Sequence, residues 1–154
     1  MTHHYLDSSA LIKRYVAEPG SDWLKVTIFK PDDALLLTSR VTMVEVWSAL
    51  ARRRREASIS LEHHADALHA FREDCLKQYR FVEFEESVYE LAGRLIARHP
   101  LRTYDAVQLA SALVAGRALT GAGLAPPTFL CADDRLLAVA QEEGLVGINP
   151  SLHT

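Results

Sequence analysis

Four acidic residues of this chain each stand where a short apolar stretch meets a turn or a helix: Asp7 in YLDSSALIKRY, Glu45 in VTMVEVWSAL, Asp105 in RTYDAVQLASAL and Asp133 in FLCADDRLLAVA. Their apolar neighbours pull them inward, and a carboxylate drawn against apolar packing is costly unless it is paired. No evenly matched basic residues stand beside them in sequence, which points to a shared cation. Magnesium and manganese suit such a set, because hard cations prefer oxygen ligands and keep several waters. Phosphodiester hydrolysis needs an activated water and a stabilised leaving oxyanion, and one or two carboxylate-held cations supply both. Without metal the cluster repels itself. Two charges ~5 Å apart at an effective dielectric of ~20 repel by roughly 3 kcal/mol, so raised carboxyl pKa values are expected.

The elements that must position these acids alternate between strand and helix. Tyr5-Leu6 reads as an opening strand with Asp7 at its end, and Ser8 or Ser9 as the N-cap of a helix over Ala10 to Val16. Glu18-Pro19-Gly20 stops that helix, and Ser21 to Phe29 reads as another. Ala34 to Thr38 (ALLLT) is a continuous apolar run, as expected of a strand covered on both faces. Helices are expected from Ser39 to about Ala57, from Ser60 to near Tyr79, over Ser87 to Arg98, over Thr103 to Leu119 and over Asp133 to Glu143. Strands are expected at Phe81 to Phe84, Thr128 to Ala132 and Leu145 to Ile148, with Thr120 to Pro127 as a loop. This alternation predicts an α/β layered fold with a mainly parallel sheet. Ligands of open parallel sheets bind at the carboxyl ends of the strands, where Asp7 and Asp133 belong. Glu45, about two turns into a helix starting at the same rim, and Asp105, at the opening of another, could join them.

Each acid also has a plainer reading. Asp7 and Asp133 are good helix N-caps, and Asp105 suits the first turn of a helix. Glu45 resists such a reading, because Val41, Met43, Val44, Val46, Trp47, Ala49 and Leu50 wrap almost the whole helix in apolar side chains.

Taken in order, YLDSSALIKRY, TMVEVWSAL, RTYDAVQLASAL and FLCADDRLLAVAQEEGL resemble a PIN domain, and especially the VapC-type toxins of bacterial toxin–antitoxin pairs. The motifs are individually short but jointly specific, and they span nearly the whole chain. The resemblance implies a three-layer α/β/α fold with a central, mainly parallel sheet. It implies an Mg2+- or Mn2+-dependent endoribonuclease that cuts RNA, is usually a homodimer, and is silenced by a cognate VapB-type antitoxin. Position by position, Asp7, Glu45, Asp105 and Asp133 match the family's four acids, as metal ligands and catalytic residues. Ser8, with Ser9 beside it, falls on the hydroxyl position after the first acid, and Thr103 precedes the third. The doublet Asp133-Asp134 leaves two candidates for the fourth acid; Asp133 is chosen because Arg135-Leu136-Leu137 then falls in the family's frame. Cys131 stands where family members often carry Ser or Thr.

Among the basic residues, Lys13, Arg14 and Arg102 lie close in sequence to Asp7 and Asp105 and are the candidates for holding substrate phosphates. Arg52 to Arg55 end the helix that carries Glu45; they suit a solvated helix end, or contact with RNA or an acidic partner. His3-His4 and His63-His64 lack zinc spacing. Trp23 and Trp47 fall at helical apolar spacing, as core or dimer-interface residues do. Cys75 and Cys131 read as small buried hydrophobes in a reducing compartment.

The chain's 154 residues, 49% of them hydrophobic, suit one domain over 1–154. No basic region followed by an apolar run precedes Asp7, and no apolar stretch approaches the ~18 residues of a membrane span, so a cytoplasmic protein is expected. The net charge of −3 argues against a nucleic-acid-coating surface but allows a local basic patch. Three other classes stay in view. A catalytically idle binding module of the same fold is one, and a nuclease or phosphoesterase outside toxin–antitoxin regulation is another. A phospho-acceptor domain is the third, although Asp7 stands alone after the first strand and no lysine follows Lys77.

Overall fold

A computed structural model describes residues 1–153. Five strands, β1 (Thr2–Leu6), β2 (Ala34–Ser39), β3 (Tyr79–Val82), β4 (Thr128–Leu130) and β5 (Gly147–Ile148), form one parallel sheet in the order β3-β2-β1-β4-β5. Seven α-helices accompany it: α1 (Ser8–Leu11), α2 (Ser21–Leu24), α3 (Val41–Arg55), α4 (Leu61–Lys77), α5 (Glu86–Arg98), α6 (Thr103–Gly121) and α7 (Asp134–Glu142). A 3-10 turn over Ile12–Arg14 continues α1, and a wider π-type turn over Lys25–Phe29 continues α2.

Strand side chains alternate between faces, and the central strands use both. Tyr5, Leu37 and Phe129 point into a core shared with Leu91, Leu95 and Leu136 of α5 and α7. Their neighbours Leu6, Leu36 and Leu130 point into a second core with Leu11, Leu50 and Phe71 of α1, α3 and α4. The fold is therefore the expected three-layer α/β/α arrangement. Tyr5 and Phe129 are paired in register across β1 and β4, and their rings stack with centroids 5.6 Å apart.

Several boundaries differ from expectation. Asp7, not Ser8 or Ser9, caps α1, because its carboxylate accepts from the Ala10 N–H. Ser39 ends β2 and also serves the start of α3, its Oγ accepting from the Val41 N–H at 3.3 Å, while Arg40 between them makes no side-chain cap bond. Tyr79 begins β3 instead of ending α4, since it pairs with Leu36. Helix α6 runs on to Gly121, which shortens the loop that follows. Gly20 starts α2 at φ +90°, where an added Cβ would lie 2.1 Å from the Pro150 carbonyl oxygen, so glycine is required there.

Candidate active site

The chain passes from β1 into Asp7, whose N–H donates to the Leu130 carbonyl of β4 at 3.1 Å. This fixes the first carboxylate over the junction of the two strands. Asp7 is only 4% exposed. One of its oxygens, Oδ1, accepts from the Ser9 hydroxyl at 2.6 Å and from the Ala10 N–H at 3.0 Å. Ser9 in turn accepts from the Ala132 N–H at 2.9 Å, tying the end of β1 to the turn after β4. Burial pushes the Asp7 carboxyl above its ordinary range; its hydrogen bonds oppose that, and the charge of Asp105 adds to it.

Glu45 is half-buried on α3, at the border between the packed face (Thr42, Val46, Leu50) and an outer face. The apolar side chains that wrap this helix are only partly buried, since Val44 is 62% and Trp47 41% exposed. What holds Glu45 is Gln108 of α6, whose Nε2 donates to Oε1 at 2.6 Å. The Gln108 Oε1 accepts from the Tyr5 hydroxyl at 2.7 Å, and its amide also donates to Thr42 at 2.8 Å. Thr38 donates to the Leu6 carbonyl oxygen at 2.7 Å and lies 2.8 Å from Thr42, its hydroxyl able to bond either. A buried polar chain thus runs across the core to the second carboxylate. Burial raises the Glu45 pKa, the Gln108 bond lowers it, and the charges of Asp7 and Asp105 raise it further.

Asp105 lies in the first turn of α6, half-buried, with its pKa raised first by burial and then by Asp133, against the opposing charge of Arg102. Asp133 is exposed and caps α7, accepting from the Arg135 N–H at 2.9 Å and the Leu136 N–H at 3.4 Å. It lines one cleft with Asp105. Asp134 instead accepts from Asn149 Nδ2 at 2.8 Å. Asp133 thus shares the cleft of Asp105 and also caps α7, whereas Asp134 turns away to Asn149.

Among the described residues, none of the four carboxylates forms an ion pair. Burial raises Asp7, Glu45 and Asp105, and the charge of neighbouring acids adds to each. The donor set is oxygen-only and suits a hard divalent cation. Among the described residues no three His, Cys, Asp or Glu side chains are grouped tightly enough to make a ready-built cage.

The other sequence candidates separate. Ser8 and Lys13 line a cleft of about 650 Å3 beside Glu45. Lys13 is 4% exposed and paired with Glu18 at 3.2 Å, and the same Glu18 also receives Arg53. Arg14 turns elsewhere. It donates to the Tyr79 hydroxyl at 2.9 Å, lies 3.5 Å from Asp74, and its guanidinium sits 4.4 Å from the Phe29 ring centroid. The structure does not bring Arg14 to the carboxylates. Arg102 does reach them, in the cleft that holds Asp105 and Asp133, and Thr103 is exposed at the start of α6. Of the arginine run, Arg52 and Arg53 face the first cleft. Trp23 stacks on His153 with centroids 4.3 Å apart.

Three residues near the site escaped the sequence reading. Gln108 could have been found as the lone amide in an apolar helix, one turn after Asp105. Tyr104 and Arg135, both exposed, line the two clefts; residues beside an acid motif carry no signal of which way they point. Cys131 is buried, its Sγ accepting from the Asp133 N–H at 3.3 Å, so it supports the turn that a hydroxyl would otherwise support.

Comparison with known proteins adds a family. A family model described as "PIN domain" matches residues 4–142. Ribonuclease VapC45 of Mycobacterium tuberculosis is 39% identical over 112 residues, 73% of this chain and 76% of its own. Ribonuclease VapC46 of the same species is 32% identical over 148 residues, 96% of this chain and 97% of its own. Among solved structures, a toxin–antitoxin complex from Klebsiella pneumoniae aligns at TM-score 0.60 and 14% identity, covering 96% of this chain and 97% of that one, which shows the shared fold.

Proposed function

The chain belongs to the PIN domain family, and from that premise we propose that it is a VapC-type toxin, a divalent-metal-dependent endoribonuclease restrained by a partner antitoxin. The observation that carries this reading is the gathering of four carboxylates at one rim of a parallel sheet without a paired cation. Relatives named as ribonucleases support RNA as the substrate.

Asp7 and Asp105 are assigned as the most direct holders of Mg2+ or Mn2+, with Glu45 and Asp133 contributing through water. When bound, the ion lowers the pKa of water and steadies developing negative charge on a phosphodiester. Ser9 and the Ala10 N–H fix the orientation of Asp7, and the Gln108 amide does the same for Glu45. Glu45, at the rim of the first cleft and held by the Gln108 amide, is placed to take a proton from an attacking water. Arg102, beside Asp105, is placed to receive a substrate phosphate; Ser8 and Thr103 stand near the acids as supporting hydroxyls.

The exposed Val44 and Trp47 on α3 suit cover by another protein surface. A second copy of this chain and a VapB-type antitoxin are the proposed occupants, and the neighbouring toxin–antitoxin complex supports the latter. No helix among the described residues is long and apolar enough to cross a membrane, in keeping with action on cytoplasmic RNA.

The test is RNA cleavage by the purified chain with Mn2+ or Mg2+, with EDTA, and by Asp7→Ala shown to be folded. Cleavage lost in EDTA and in the variant is the expected result. Cleavage that survives both would remove the carboxylates from the chemistry.

A further inference from the structure

The opening turn of α6 is a ridge between two clefts. On one side Tyr104, 59% exposed, faces the cleft of about 650 Å3 with Ile12, Val41, Val44 and Ala49 as apolar walls and Ser8 and Glu45 at the rim. On the other side Asp105 faces a cleft of about 690 Å3 that also holds Asp133, Arg102 and Arg135. The four acids are thus divided: Glu45 belongs to the first cleft, Asp105 and Asp133 to the second, and Asp7 is buried beside them. Among the described residues, neither the Arg102 nor the Arg135 side chain has a carboxylate within ion-pair distance, and both are exposed.

Resting on the nuclease reading, we propose that RNA straddles this ridge, with one unpaired base stacked on Tyr104 in the first cleft and a phosphate next to the cut held by Arg102 and Arg135 in the second. The chemistry of the two sides differs in the way this requires. An aromatic ring with aliphatic walls and a polar rim fits the flat face and polar edge of a nucleobase. Two exposed arginines fit phosphate oxygens through their planar donor forks. Once a cation answers the carboxylates, the second cleft retains the surplus positive charge of both arginines. A base can reach a side chain in a cleft only when it is unstacked from its own helix, so the substrate is single-stranded at the cut. Tyr104 is then a specificity-determining contact, and Arg135 a phosphate contact beside the acids already assigned.

The test uses the full chain, a short single-stranded RNA carrying 2-aminopurine at one position after another, and the same sequence as a duplex. Cleavage is read with Mn2+, and binding is read by anisotropy and 2-aminopurine fluorescence in an Asp7→Asn background. Tyr104→Ala is expected to weaken binding and raise KM by about 5- to 150-fold and to abolish the fluorescence change at one position, while Tyr104→Phe retains both. Arg102→Gln and Arg135→Gln are each expected to lower the slope of log affinity against log salt by about 1 with the fluorescence change intact. The duplex is expected to bind without that change. Wild-type cleavage matched by Tyr104→Ala in KM and signal, or unchanged salt slopes in both arginine variants, overturns the proposal and leaves the nuclease reading standing. No cleavage by the wild type, together with Tyr104-dependent fluorescence, supports the two subsites and sinks the nuclease reading instead. Variants that bind RNA normally but lose a co-purifying protein would assign the clefts to that protein and overturn the proposal.

Discussion

Gln108 Nε2 donates to Glu45 Oε1 at 2.6 Å, so a side chain from the middle of α6 sets the direction of a carboxylate on α3. Gln108 is 1% exposed and serves Tyr5 and Thr42 as well. Replacing it with leucine leaves the buried Tyr5 hydroxyl without this partner, a loss of about 1–3 kcal/mol, while Thr42 keeps Thr38. Because the Gln108 bond lowers the Glu45 pKa, its loss raises that pKa further. Gln108→Leu is therefore expected to lower stability in urea titration and to move the acidic limb of the pH–rate profile upward. An unmoved limb would separate Gln108 from the function of Glu45.

Asp7 makes the metal-free fold sensitive to pH. Its folded pKa lies above its usual value, so the native state holds a proton that the unfolded chain releases. That contribution is fully present below about pH 4, the unfolded value, and is lost as pH rises through the raised folded value. Asp7→Asn keeps an oxygen for Ser9 and Ala10 but removes the charge. At pH 7 in EDTA its stability is expected to exceed that of the wild type by on the order of 1.4 kcal/mol per unit of pKa shift, read as a higher Tm. The gap should close below pH 4, and Mn2+ should raise the wild-type Tm more than the variant's. A variant less stable than wild type at pH 7 in EDTA would contradict this.

Asp133 and Asp134 can be told apart by their separate bonds. Asp133→Ala loses both the charge beside Asp105 and the cap of α7, the latter worth about 1 kcal/mol. Asp133→Ser restores the cap alone, and is expected to recover stability while cleavage stays low. Asp134→Ala loses its bond with Asn149 and is expected to retain cleavage. Equal cleavage by Asp133→Ser and wild type would reduce Asp133 to a cap.

Glu18 holds two cations, Lys13 and Arg53, at the far side of the first cleft. Lys13 is only 4% exposed, so Glu18→Gln strands a buried ammonium, a change expected to destabilise by about 3 kcal/mol. Lys13→Met in the same chain should recover much of that loss. Urea unfolding of the single and double variants measures the coupling, and purely additive losses would show that the cluster is not a unit.

The acids were legible because each has a local signature: a strand end for Asp7 and Asp133, a helix opening for Asp105, an apolar helix for Glu45. The layered sheet was legible for a similar reason, since ALLLT and TFLCA are apolar without alternation. Pairings between distant residues left no such mark. Lys13 and Arg14 are neighbours in sequence, yet one turns to Glu18 by the first cleft and the other to Tyr79 and Asp74. Gln108 looked like an ordinary helix residue until its three partners, from β1 and α3, were in place. Tyr79 was read as helical because its strand pairing with Leu36 is made by a segment more than 40 positions away.

The order of the strands has a consequence for synthesis. β4 enters the sheet between β1 and β5, and pairs with the very first strand of the chain. Asp7 is anchored to Leu130, and Ser9 to Ala132, by bonds that cannot form until β4 has been made. A nascent chain still on the ribosome carries three of the acids but neither these anchors nor Asp133. The assembled rim therefore waits for β4 and the turn after it, and a chain elongated only as far as α6 has no complete set of carboxylates to offer an ion.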